Sequence, residues 1–290
     1  MNLKESIFVL YDLGISLAAL SRLYREASEE QVKGILNGDF LELQFSLGLF
    51  NDKDIELLSS IDFIEKSKTY ISNLLTEFSE KEIKYLLYYE KDYPNSLKGI
   101  PSPPFFIFTK GNLSLLEDKF IFSIVGTRNP TNQTLKQIEH TVKEMVSAGI
   151  VIASGLALGT DIHAHKCTLE SKGKTIAVLP SSIDNITPKS HKSHADKIIE
   201  KNGLLISEYY KSEALFNKSN YIQRNRIISG LSNAVLIAAC SEKSGTMHTA
   251  RFAYKQKRPL YCFDNESTGI QKILSSNSAR IYTTLDDLSF

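Results

Sequence analysis

An excess of one charge is the first thing this sequence lacks. Lysine plus arginine number 34 and aspartate plus glutamate 33, giving a net charge of +1. A chain so balanced has no global field for a polyanion, so any anion-binding surface has to be local. Paired cysteines are missing as well: Cys167, Cys240 and Cys262 are scattered and form no CxxC. That argues against a disulfide framework and for reduced thiols in a cytoplasm. The N-terminal stretch is interrupted by Asp12 and has no signal-peptide cleavage pattern. No uninterrupted apolar run is long enough to span a bilayer. Internal repeats and low-complexity segments are absent too. The expectation is a soluble, cytoplasmic protein with no membrane partner.

What is present falls into two regions. Residues 1–80 carry helical spacing, with Ile71, Leu74, Leu75 and Phe78 as the cleanest i, i+3, i+4, i+7 set. They predict a small helical domain, although "FLELQFSLGLF" (Phe40 to Phe50) alternates and would also suit a strand. Residues 83–111 place two β-prone runs between proline-rich turns and read as an extension packed on the next domain. From Lys119 onward the apolar runs FIFSIV, IVIAS, TIAVLP, LLIS, AVLIAAC and PLYCF alternate with stretches mostly of helix length. Near-continuous apolar runs suit strands buried on both faces. The fold expected over residues 81–290 is α/β, a Rossmann-like, doubly wound, mostly parallel sheet.

Ligands of such sheets bind where loops leave the carboxyl ends of the strands. Three turns there share one chemistry: Gly126-Thr127-Arg128-Asn129-Pro130, the stretch from Gly155 to Asp161, and the stretch from Ser241 to Thr246. In the first, Asn129 suits a helix cap and Pro130 the first helical position, leaving backbone N–H groups to face an anion. One glycine turn also serves an ordinary tight turn. Three on one edge predict an anion site, with Arg128 as its cation.

A dinucleotide fits poorly. There is no G-x-G-x-x-G, and Ser154-Gly155 stands where a ribose-binding acid would be. A Walker lysine motif is also absent, and no cofactor is expected. Lys189 and Lys192, three residues apart, share a face if helical. Arg224 and Arg226 are two apart and diverge on a helix, so at most one faces ligand and the other is expected to pair with an acid such as Glu208 or Asp161. His163 and His165 in "DIHAHKC" diverge likewise and make no metal pair. Thr160 or Asp161 is expected to cap their helix, with a histidine hydrogen-bonded in the interior. No G-x-S-x-G nucleophile elbow is present.

The ordered set "VGTRNPT", "SGLALGTDIHAHKCTLESKGKTIAVLP", "GLLISEY", "RNRIISGLS" and "SGTMHTARFAYKQKRPLYC" resembles the DNA-processing protein A (DprA, or Smf) family. The resemblance covers most of residues 84 to 265 and implies a sterile-alpha-motif-like domain ahead of them. It implies a non-catalytic protein that binds single-stranded DNA during natural transformation, helps load the RecA recombinase, and forms a homodimer. The family's DNA-binding arginine maps onto Arg128 and its lysine onto Lys189, with Lys192 the alternative. The turns around Gly155 and Gly245 would add backbone and hydroxyl contacts to phosphates. The expected nucleic-acid set is Gly126, Thr127, Arg128, Ser154, Gly155, Lys189, Lys192, Arg224, Asn225, Ser244, Gly245 and Thr246.

Departures from the family pattern are local. Thr187-Pro188-Lys189-Ser190-His191 replaces Tyr-Pro-x-x-Asn, and Gly159-Thr160-Asp161 replaces Gly-Ile-Asp. Ala239-Cys240 replaces Glu-Ala, Met247 and His248 enter the third turn, and Asp264-Asn265 replaces a proline-glycine. With the chain ending at Phe290, the winged-helix domain of some members is not expected. A competing reading is a Rossmann-type nucleotide-processing enzyme, because "KSGTMHTA" resembles a turn of the cytokinin-activating phosphoribohydrolases. The glutamate of that turn matches Thr249, which cannot serve as a carboxylate base. A third reading makes the glycine turns purely structural in a protein-interaction scaffold.

Overall fold

The computed structural model describes residues 1–117, 120–211 and 218–288. The chain forms two compact units, residues 1–82 and 83–290. The first is built from helices α1 (Leu3–Leu13), α2 (Leu17–Glu26), α3 (Glu29–Ile35), α4 (Leu41–Leu47), α5 (Asp52–Leu58) and α6 (Ile61–Glu80). Their starts follow capping chemistry. Asn2, Ser16, Ser28, Asn51 and Ser60 each accept a backbone N–H that the first turn leaves without an intrahelical partner. On α6 the residues Ile64, Ile71, Leu74 and Phe78 are buried, the stripe that the helical spacing demands. The ambiguous stretch from Phe40 to Phe50 is helical over α4 and stops at Gly48, which takes a left-handed conformation. A strand loses there because the chain doubles back. Gln44 bonds the backbone of Phe50 through both its amide groups, and the Phe40 and Phe50 rings meet edge to face.

The second unit opens with β1 (Lys84–Leu87), α7 (Asn95–Lys98) and β2 (Phe106–Gly111). Then strand and helix alternate: β3 (Ile121–Val125), α8 (Asn132–Ser147), β4 (Val151–Ser154), α9 (Thr160–Glu170) and β5 (Thr175–Val178). They continue with α10 (Lys192–Glu200), β6 (Leu204–Ser207), α11 (Lys218–Leu231) and β7 (Ala234–Ile237). The unit closes with α12 (Thr246–Lys255), β8 (Leu260–Cys262), α13 (Thr268–Ser275) and β9 (Arg280–Ile281).

All these strands form one sheet in the order β1-β2-β6-β5-β4-β3-β7-β8-β9. The pairs β1–β2 and β2–β6 are antiparallel and the rest parallel. The β-prone runs of residues 83–111 therefore join the sheet itself, covering the edge of β6 that would otherwise expose unpaired backbone groups. Each central strand feeds two cores. On β3, Phe122 and Ile124 pack with Ile138, Val142 and Met145 of α8 and Ala164 of α9. Ile121 and Val125 point the other way, into a core shared with Ile227 of α11, Ala253 of α12 and Ile270 of α13. From β3 the chain winds first toward β4 and later toward β7, so the strand order reverses at β3 and opens a crevice at its carboxyl end. Among the described residues no helix is long and apolar enough to cross a membrane.

The interior histidine expected from "DIHAHKC" is His165, 1% exposed. The Thr175 hydroxyl donates to the Ile152 carbonyl at 2.7 Å, so its oxygen accepts from His165 Nδ1–H, also at 2.7 Å. His163 instead reaches the Leu135 carbonyl, so the two rings diverge, and no cluster suited to a metal ion occurs among the described residues. Burial pulls His165 from its ordinary 6.5 down to about 3. Between those values the unfolded chain binds a proton that the folded chain refuses, so stability falls as pH falls through that window. The contribution is at most about 1.4 kcal/mol per pH unit. Urea unfolding from pH 7 to pH 4 should show a midpoint that falls with pH, and H165Q should flatten the profile. An H165Q profile as steep as wild type would assign the slope to other groups.

Candidate nucleic-acid interface

The three glycine turns meet at one edge because the first is the hub of a hydrogen-bond lattice. Thr127 N–H donates to the Ala239 carbonyl at 2.7 Å, tying the turn to the end of β7. The Thr127 carbonyl accepts from Thr160 N–H at 3.1 Å and from Thr160 Oγ1 at 3.0 Å. The Gly126 carbonyl accepts from Thr246 Oγ1 at 3.0 Å. Helix α8 starts later than the sequence suggests. Its cap is Thr131, whose Oγ1 accepts from Thr134 N–H, while Asn129 N–H bonds Thr127 Oγ1. Asn129 and Pro130 thus belong to the turn rather than serving as cap and first helical residue.

Beneath the turns lie two buried ionisable side chains, Asp161 and Arg224. Asp161 is 5% exposed and accepts from Gly155 N–H at 3.1 Å, with backbone groups of Ala157 and Gly126 also held to it. It faces the turns and does not cap α9, whose first residues have no side-chain cap. Burial pushes its carboxyl above the ordinary value, against the pull of Arg224 and those N–H groups. Arg224 is 2% exposed and directs Nη1 to the carbonyls of Gly155 and Val178, and Nε to Asn225 Oδ1 at 3.1 Å. Burial lowers it to about 10, with Asp161 opposing. Its neighbour Arg226 points elsewhere, into a bidentate pair with Glu208 at 2.6 and 2.5 Å. The divergence of the two arginines is as expected, with Glu208 as the acid.

Above this pair opens a cavity of about 510 Å³. Gly126, Thr127, Arg128, Arg224, Asn225, Ser244, Gly245 and Thr246 line it, eight residues of the expected set. Arg128 is exposed, and its guanidinium carbon sits 5.2 Å from the ring centroid of Tyr221, a cation–π contact that holds the side chain over the opening. Lys218 and Lys243 are further exposed cations on the lining.

Four expected residues lie outside this cavity. Ser154 is fully buried and its hydroxyl donates to the Ile124 carbonyl at 2.6 Å, so it crosslinks β4 to β3 and offers nothing to a ligand. The N–H of Gly155 is occupied by Asp161 and its carbonyl by Arg224. Lys189 and Lys192 are exposed on the neighbouring segment after β5. His191 fixes that segment, donating from Nδ1–H to the Leu156 carbonyl at 2.8 Å. Sequence reasoning missed Tyr221, Lys218, Lys243 and His248. Lys243 lay inside a quoted turn, and Tyr221 precedes Arg224 by one helical turn, but an aromatic at that spacing ordinarily reads as core.

Gly159 carries the tightest backbone constraint here, with φ +75° and no room for a side chain: a Cβ would strike the carbonyls of Thr127 and Arg128. G159A should cost more than about 1 kcal/mol in a urea titration. G245A adds a Cβ that meets nothing within 4 Å and should stay within about 0.5 kcal/mol of wild type. Equal losses in both variants would contradict this geometry.

The family model for DNA recombination-mediator protein A matches residues 84–289. DNA processing protein DprA of Bacillus subtilis is 35% identical over 228 residues, 77% of this chain and 76% of that protein. Protein Smf of Borreliella burgdorferi is 32% identical over 251 residues, 80% of this chain and 78% of that one. The solved DNA processing protein A of Helicobacter pylori, described for its single-stranded DNA binding mode, superposes with a TM-score of 0.64 at 32% identity. It covers 72% of this chain and 94% of its own. The Streptococcus pneumoniae protein superposes with a TM-score of 0.75 at 25% identity over 100% of both chains. With its sheet order, its three joined turns and these matches together, the chain belongs to the DprA/Smf family of DNA-processing proteins.

Proposed function

We propose that this protein binds single-stranded DNA along the carboxyl edge of its sheet and acts as a recombination mediator. In this reading it passes the strand to a RecA recombinase during natural transformation, works as a cytoplasmic homodimer, and catalyses no reaction on the DNA. One observation carries the proposal: exposed Arg128, held over a cavity flanked by Lys218 and Lys243, concentrates positive charge in a chain whose net charge is only +1. Lys189 and Lys192 continue the exposed cations past the Gly155 turn, which suits a chain of phosphates better than a single one. The single-strand binding of the Helicobacter pylori relative supports the same reading.

R128A tests it. Removing one phosphate contact should weaken single-strand binding and lower the slope of log affinity against log salt by about 0.7. Affinity and slope both unchanged would remove Arg128 from the interface, and no binding of the wild-type protein at low salt would end the proposal.

The enzyme reading has one observation in its favour, a carboxylate on the cavity lining. Asp161, however, is held by backbone N–H groups, and the residue matching the enzymes' glutamate is Thr249, 1% exposed. Purified protein incubated with nucleoside monophosphates should release no free base by chromatography. Release that is abolished in D161N would replace the binding reading with a hydrolytic one.

A further inference from the structure

We infer that the outer edge of β9, with the cationic cavity beside it, is a docking site for an extended acidic segment of a partner protein. The site is independent of the carboxyl edge, since this cavity lies at the opposite, amino end of the sheet. Its lining runs over Lys257, Arg258 and Pro259, where the chain enters β8, and from Asn277 to Arg280, where it enters β9. The cavity measures about 300 Å³. Among the described residues no acidic side chain lines it, and Lys257, Arg258 and Arg280 form no ion pair. Part of that charge serves helix termini, because α12 and α13 both end here. Two helix carboxyl ends together carry about one unit of negative charge, so about two positive units stay uncompensated.

Arg258 shows the deficit most clearly. Its Nη2 donates to the carbonyls of Ser96 and Gly230 at 3.1 and 2.9 Å, yet its Nε is buried and meets no acceptor. Burial pulls the guanidinium below its ordinary value, and no carboxylate opposes that, whereas Arg226 has Glu208. A carboxylate entering the cavity would supply the charge-assisted bonds that this arginine lacks. The strand beside the cavity favours a peptide over a phosphodiester as the source of that anion. Among the described residues β9 pairs with β8 alone, so its other side keeps backbone groups for an added strand. Both its residues are exposed and they alternate, Arg280 on the cavity side and Ile281, 44% exposed, on the other. A strand laid along β9 therefore sets an acid beside Arg280 and an apolar residue beside Ile281. A sugar-phosphate chain matches neither the apolar position nor the backbone groups. The occupant is a run of alternating acidic and apolar residues.

The test is fluorescence anisotropy of the full chain with a labelled decapeptide of alternating glutamate and valine, beside one with glutamine in place of glutamate. The glutamate peptide should bind about tenfold more tightly than the glutamine one. K257Q/R280Q, which changes two exposed side chains, should close most of that gap and should bind a deoxythymidine oligonucleotide as wild type does. R128A should keep the gap. Equal binding of the two peptides by wild type would overturn the docking site whatever the variants do, and so would a gap undiminished in K257Q/R280Q or lost in R128A. Weaker oligonucleotide binding by K257Q/R280Q would assign these cations to nucleic acid and overturn the peptide reading. A changed oligomeric state of that variant in light scattering would make the edge a contact between copies of this chain and overturn the partner segment. Displacement of the glutamate peptide by inorganic phosphate at the peptide's own concentration would assign the cavity to a free anion and overturn the docked strand.

Discussion

The guanidinium of Arg224 is the contact on which the rest of the interface depends. It rises from the middle of α11 and grips the carbonyl ends of β4 and β5 through Gly155 and Val178. A buried cation without such acceptors would be costly, and here carbonyl dipoles and the nearby Asp161 supply what water would have given. The grip fixes the rotation of α11 under the sheet edge. One helical turn earlier, that rotation delivers Tyr221 to the cavity wall, and Tyr221 in turn carries Arg128. Gly155 follows from the same constraint, because a Cβ there would lie 2.5 Å from the guanidinium carbon. An arginine that looks like a ligand contact in the sequence thus serves as the fulcrum for one that is free to be so.

This arrangement explains how a nearly neutral chain can present a cationic edge. Beneath the turns Arg224 is turned inward onto the carbonyls of Gly155 and Val178, while Arg128, Lys218 and Lys243 on the lining are exposed. Arg226 is withdrawn in the same way by its bidentate pair with Glu208, which is largely buried and anchored further through the Ser102 carbonyl. What remains outward is a small set of cations on the turns and on the segment held by His191. Long-range attraction is weak at such a balance, so selectivity has to come from close contacts.

The strands from β3 to β8 were legible because each is buried on both faces and reads as an apolar run with a turn after it. The parallel order followed from the alternation with helices. Their edge partners β1 and β2 were harder to place, since an antiparallel edge pair and a separate extension share one local pattern and differ only in a long-range register. At the interface, the turns were visible through their glycines, but the fate of each polar group was not. Whether Gly155 N–H meets phosphate or Asp161 depends on a residue six positions on. Ser154 could equally have faced ligand or crosslinked strands until its partner, Ile124, was known. Tyr221 carried no local mark at all, because its role arises only when β3 and α11 meet.

The departures from the family pattern become intelligible in the same terms. His191 stands where the family has an amide side chain and still donates one N–H to the Leu156 carbonyl. Thr160, in place of isoleucine, adds a hydroxyl bond to Thr127 that reinforces the Arg128 turn. Asn265, in place of glycine, bonds the Ala238 carbonyl at 2.9 Å and accepts from Ser267 N–H, closing its turn by side-chain rather than backbone means. Each of these exchanges puts a side-chain hydrogen bond at the edge. Thr187 is the exception, because a hydroxyl there cannot replace an aromatic face. The aromatic ring at this edge is Tyr221, and it lies against the guanidinium of the exposed Arg128.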